Sequence, residues 1–79
     1  MRLRHEFFGL KIATWNVNSV KARLSTVTRW LKQSAPDVAC FQEIKTEDGA
    51  FPFGAFEELG YNCTVYGQKT YNGVAILSK

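Results

Sequence analysis

DVACFQEIK, Asp37 to Lys45, is built from two unlike halves. Val38 to Phe41 is an unbroken apolar run behind Pro36, the pattern of a short strand buried on both faces. The run ends abruptly in Gln42 and Glu43, so the polar pair marks the mouth of the strand. In an open sheet with parallel strands, ligands collect at the carboxyl ends, where the backbone leaves the core and side chains can reach out. Glu43 stands at such an end.

Working outward, Leu10 to Trp15 (LKIATW) is a second short run that closes in Asn16-Val17-Asn18-Ser19. The segment between the two runs is long enough for a crossover helix, so the runs are expected to be parallel neighbours with backbones about 4.8 Å apart. That places Asn16 beside Glu43. A carboxylate and an amide carbonyl are hard oxygen ligands, suited to a magnesium ion that keeps several waters and borrows phosphate oxygens from a substrate. The plain structural alternative is that Asn16 caps the turn after its strand and Glu43 is a solvated strand end. Lys21, Arg23, Lys45 and Lys69 fall in loops around the same mouth, where they either contact phosphates or are simply solvated. Tyr71 in the same region either stacks on a nucleotide or is an ordinary hairpin-turn tyrosine.

The flanking segments complete the order β-α-β-(α)-β-β. Ser25 reads as the N-cap of a helix through Ser34, with Val27, Trp30 and Leu31 on its apolar face, and Pro36 ends it. Phe51-Pro52 begins a shorter helix in which Phe53, Phe56 and Leu59 recur at helical spacing and Gly60 is placed for the C-terminal cap. Tyr61 to Tyr66 and Val74 to Leu77 read as a hairpin around the turn Gly67 to Gly73. Residues 1–9 have no clear period and are expected to be a poorly ordered N-terminal extension, with His5 solvated rather than catalytic. One inconsistency follows. Strands this apolar need cover on both faces, and two helices cover one.

Seventy-nine residues make at most one small domain, and a chain ending at Lys79 just after a strand is expected to be incomplete. A net charge of +3 permits a polyanion partner without demanding one. Cys40 and Cys63 lack C-x-x-C spacing and are expected to stay reduced, with no disulfide. No apolar run approaches membrane-spanning length and the N-terminus lacks a signal-peptide centre, so a cytoplasmic location with no membrane contact is expected.

Three blocks occur in order: KIATWNVNSVKARL, PDVACFQEIK and LGYNCTVYGQKTYNGVAILSK. Together, from Leu10 to Lys79, they closely resemble the start of exonuclease III-type apurinic/apyrimidinic endonucleases of the endonuclease/exonuclease/phosphatase superfamily. The resemblance implies an α/β fold, part of a four-layered α-β-β-α sandwich of which residues 10–79 supply one half. It also implies a magnesium-dependent phosphodiesterase of base-excision repair, with manganese as the alternative cation. Such an enzyme acts as an abasic-site endonuclease and 3′–5′ exonuclease on double-stranded DNA with abasic sites or 3′ ends, as a monomer when full length. By the same resemblance Glu43 matches the metal-binding glutamate and Asn16 the asparagine beside the metal, both catalytic. Asn18, Lys21, Lys45, Gln68, Lys69 and Tyr71 fall in DNA-binding segments. The family's catalytic histidine and its water-preparing aspartate lie downstream of the position matching Lys79, so these residues alone are expected to be inactive. A superfamily phosphodiesterase with a lipid or inositol-phosphate substrate is the enzymatic alternative, although GQKTYNGVAILSK favours the DNA branch. A truncated chain that binds DNA weakly through its basic rim is the non-enzymatic one.

Overall fold

The computed structural model describes residues 2–7, 9–67 and 72–79, the first of these segments by its backbone. Its elements are strand β1 (Arg2–Phe7), strand β2 (Leu10–Asn16), helix α1 (Leu24–Ser34), strand β3 (Val38–Gln42), a 3-10 turn (Asp48–Ala50), helix α2 (Phe53–Glu57), strand β4 (Asn62–Gly67) and strand β5 (Gly73–Ser78). Among the described residues the strands form a five-stranded sheet in the order β1-β2-β3-β5-β4. The β2–β3 pair is parallel, and the other three pairs are antiparallel.

Register is set at the start of β3. Asp37 donates its N–H to Lys11 O at 2.9 Å, and its Oδ2 accepts the Lys11 N–H at 2.8 Å. Lys79 N–H closes the same corner onto Asp37 O at 3.0 Å. A slip of one residue would turn every side chain of the strand to the other face. With this register Trp15 lies beside Phe41 and Asn16 beside Gln42.

Ala13, Trp15, Ala39, Phe41, Ala75 and Leu77 share one face of the sheet and are buried beneath both helices. Helix α1 contributes Val27 and Leu31 to this core and α2 contributes Phe56. Rings interlock across it: Trp15 meets Trp30 edge-on at 5.3 Å, and Phe41 meets Phe56 at 6.1 Å. Burying a side chain such as Phe41 stabilises the fold by roughly 1.5–3 kcal/mol. Trp30 is thereby a packing residue, its ring 6.4 Å from that of Phe41. Gly60, at φ 89, takes the left-handed turn after α2 that a side chain would resist.

Among the described residues the opposite face has no helix. Leu10, Val74 and Ile76 are exposed there, and Tyr66 is 71 % exposed. The shortage of cover anticipated from the strand composition is therefore real, and these elements form one sheet and one helical layer of a sandwich.

Three expectations need correction. Residues 1–9 were expected to be a poorly ordered extension, yet Arg2–Phe7 is a strand paired antiparallel with β2, so the sheet has five strands rather than four. The backbone groups along the outer edge of β2 find partners this way, and that gain does not need an alternating side-chain pattern. The N-cap of α1 is Arg23, without a side-chain cap bond, and Ser25 lies inside the helix. The chain enters the helix through a turn in which Ser19 Oγ accepts the Ala22 N–H at 3.3 Å, Ser19 O the Arg23 N–H at 3.2 Å and Lys21 O the Leu24 N–H at 3.4 Å. Pro52 is the N-cap of α2 rather than its first helical residue. Most of the turn between β4 and β5, including Gln68, Lys69 and Tyr71, lies outside the described residues.

Candidate functional site

Parallel pairing brings the carboxyl ends of β2 and β3 to one edge, and the pairing continues past both strands. Val17 N–H donates to Gln42 O at 3.0 Å, Ser19 N–H to Glu43 O at 2.9 Å and Val20 N–H to Ile44 O at 3.0 Å. On the other side Ile44 N–H donates to Gly73 O at 3.2 Å and Lys45 N–H to Asn72 O at 3.1 Å. The EIK segment is thus clamped from both sides. Ile44, wholly buried with Val17 and Val20, anchors it. Glu43 and Lys45, on either side of that anchor, both adopt left-handed backbone, at φ 53 and φ 54. Residues with a Cβ pay for this conformation, and such positions concentrate where a site must aim a side chain.

Four polar side chains close into a ring above this frame. Asn16 Nδ2 donates to Glu43 Oε2 at 2.5 Å, and Asn16 Oδ1 accepts the Asn18 N–H at 3.1 Å. Lys45 Nζ donates to Asn18 Oδ1 at 2.5 Å and stands 3.8 Å from Glu43 Oε1. The carbonyl of Asn16 thus fastens the turn after β2, as its structural reading has it, while its amino group holds the Glu43 carboxylate. Neighbouring Gln42 is tied to Thr14 Oγ1 at 2.7 Å.

The side chain of Glu43 is 42 % exposed. Among the described residues no three His, Cys, Asp or Glu side chains converge on one point. A single carboxylate at an open edge does not fit a closed zinc-type cage. It does fit a magnesium-type ion, which takes one or two carboxylates and keeps waters. Asn16, with its amino group on Glu43, is oriented to steady that carboxylate.

Of the residues singled out in the sequence, Asn16, Asn18, Glu43 and Lys45 meet in this ring, while Lys21 is exposed on the turn leading to α1 and stands outside it. The contact of Lys45 with Asn18 was not anticipated. Its signal was present, since Asn16 to Asn18 and Glu43 to Lys45 are equal steps along adjacent parallel segments. Asp48 was also missed. Its Oδ1 accepts the Gly67 N–H, and Gly67 is packed so closely that a Cβ there would lie 2.3 Å from Thr46 O. This contact fastens the loop after Lys45 to the end of β4.

Other chemistry-bearing groups are structural. Burial first, and the Glu57 carboxylate second, push the Cys63 thiol up to about 11, so it stays protonated at neutral pH and is no nucleophile. Tyr61 donates its hydroxyl to Pro36 O at 2.6 Å, and burial, then Asp37, raise its pKa. A groove of about 450 Å³ between α1 and α2, lined by Leu24, Thr28 and Leu59 among others, contains none of the ring residues.

A carboxylate and an amide at the mouth of a parallel pair stand where open α/β sheets collect their ligands. The chain belongs to the Endonuclease/Exonuclease/phosphatase family, whose sequence profile matches residues 13–79. Within it, the chain is 40 % identical over 70 residues to exodeoxyribonuclease III of Haemophilus influenzae, a match covering 89 % of this chain and 26 % of that protein. Among solved structures, an AP endonuclease from Archaeoglobus fulgidus superimposes with a TM-score of 0.85 at 51 % identity, over 87 % of this chain and 27 % of that one. The 3′–5′ exonuclease NExo from Neisseria meningitidis does so with a TM-score of 0.81 at 42 % identity, over 99 % and 27 %. The chain spans about a quarter of the length of these relatives.

Proposed function

We propose that the full-length protein carrying this chain is a magnesium-dependent DNA phosphodiesterase of base-excision repair, cleaving at abasic sites and removing nucleotides from 3′ ends. The observation that carries this reading is Glu43, raised on left-handed backbone at the mouth of the parallel β2–β3 pair and held by Asn16 at 2.5 Å. Relatives of known activity point the same way: one is an exodeoxyribonuclease III, another an AP endonuclease. A Neisseria NExo variant, a 3′ phosphatase 48 % identical to this chain, was solved bound to a product DNA hairpin.

In this reading Glu43 binds the cation and Asn16 fixes the carboxylate so that it meets the cation in one orientation. The cation, when bound, neutralises charge on the phosphate and on the leaving 3′ oxygen. Asn18, Lys21, Gln68, Lys69 and Tyr71 supply contacts to DNA, the lysines through phosphates and Tyr71 by stacking. Residues 1–79 contribute the carboxylate and part of the DNA face. The residues that the resemblance assigns as base and as water-preparing aspartate lie outside them, so the isolated chain is expected to be inactive.

The test is Glu43→Gln in the full-length protein, which keeps shape and removes one ligand charge. Abasic-site cleavage under magnesium titration should fall by orders of magnitude with circular dichroism unchanged. Wild-type turnover at wild-type magnesium would sink the assignment.

A further inference from the structure

Lys45 does not extend into water as a loop lysine reaching for a phosphate would. Its ammonium turns inward, 2.5 Å from Asn18 Oδ1 and 3.8 Å from Glu43 Oε1, and its side chain is only 27 % exposed. The root is fixed as well, with φ at 54 and the backbone N–H held on Asn72 O at 3.1 Å. Lys45 therefore occupies the two outward oxygens of the ring, the same hard donors that a divalent cation would take.

We propose that Lys45 is the resident counter-ion of the metal site: its ammonium neutralises Glu43 before the cation arrives and competes with the cation for Glu43 Oε1 and Asn18 Oδ1. The inference rests on the proposed metal role of Glu43. Two positive charges within about 4 Å of one carboxylate repel each other, so cation binding drives the ammonium outward, toward the phosphate side of the edge. Lys45 is then a positioning residue with an unusual sign. Removing its charge tightens the metal site. A lysine that only contacts DNA would leave metal affinity untouched, and one that only braces the loop would weaken it when lost.

The experiment measures binding of manganese alone, without DNA, to the full-length protein by the loss of the free-ion paramagnetic resonance signal. Lys45→Gln should lower the Kd about two- to fivefold, the range a partly exposed ion pair supports. Lys45→Arg, which keeps the charge, should restore the wild-type value. Lys45→Gly, compatible with the left-handed backbone, gives the same comparison if the glutamine variant does not fold. An unchanged or raised Kd in the neutral variants overturns the inference, provided that Glu43→Gln abolishes manganese binding. If Glu43→Gln binds manganese as the wild type does, the metal reading itself fails, and this inference with it.

Discussion

Replacing Glu43 by glycine and by alanine separates the backbone of the site from its chemistry. Both substitutions remove the carboxylate, and with it the bonds to Asn16 and Lys45, so those losses cancel in the comparison. They differ in what stands at φ 53. An alanine Cβ in left-handed backbone costs about 1–2 kcal/mol, whereas glycine adopts it freely. Glycine in turn loses about 0.5–1 kcal/mol of additional chain entropy on folding. Taking about 1.5 kcal/mol for the first and about 0.75 kcal/mol for the second leaves Glu43→Gly more stable than Glu43→Ala by about 0.75 kcal/mol, the reverse of the usual order. Urea denaturation of the two full-length variants measures it: with a slope of about 2 kcal/mol/M, the glycine midpoint should lie about 0.2–0.5 M higher. Both variants should be inactive on abasic DNA. An alanine variant as stable as the glycine one, or more so, would mean that Glu43 sits in ordinary backbone and that no strain is invested in aiming it.

Gly67→Ala should destabilise the protein by about 1–3 kcal/mol, because the new Cβ would lie 2.3 Å from Thr46 O and displace the loop that Asp48 fastens; an unshifted thermal melt would refute the close approach. Residues 1–79 expressed alone should be nuclease-inactive and should self-associate through the uncovered face, and Val74→Lys with Ile76→Lys should reduce that association in sedimentation velocity; a monomeric wild-type chain would argue against it. The Cys63 thiol is raised from 9.0 to about 11 in the folded state, so the unfolded chain releases this proton first. The contribution of that proton to stability is intact below pH 9.0 and lost as pH rises toward about 11. Denaturant midpoints across this window should fall less steeply in Cys63→Ala, and parallel slopes would remove Cys63 as a cause.

The parallel pair and its mouth were legible because two independent signals agreed: apolar runs at Leu10–Trp15 and Val38–Phe41, and an intervening segment of the right length for a crossover. Burial then left few choices, and Asn16 fell beside Glu43. What escaped reading is decided by partners distant in sequence. Arg2–Phe7 carries no alternation, and its strand is determined by the edge of β2 that it satisfies. Nothing in EIK announces left-handed backbone, since neither Glu nor Lys prefers it; the bonds from Ser19 and Val20 on one side and to Asn72 and Gly73 on the other impose it. Arg23 as helix cap contradicts local preference because the turn from Ser19 to Leu24, closed by its own hydrogen bonds, decides where the helix starts.

The single parallel pairing among the described strands also orders events in time. Hairpins β1–β2 and β4–β5 join strands adjacent in sequence, and such contacts form quickly. Asn16 and Glu43 are 27 residues apart, and their meeting requires the crossover through α1 to close. Closing that crossover is the slower, non-local step. A nascent or partly unfolded copy thus carries its amide and its carboxylate on separate pieces of chain, and the ring of Asn16, Asn18, Glu43 and Lys45 closes only once that crossover is made.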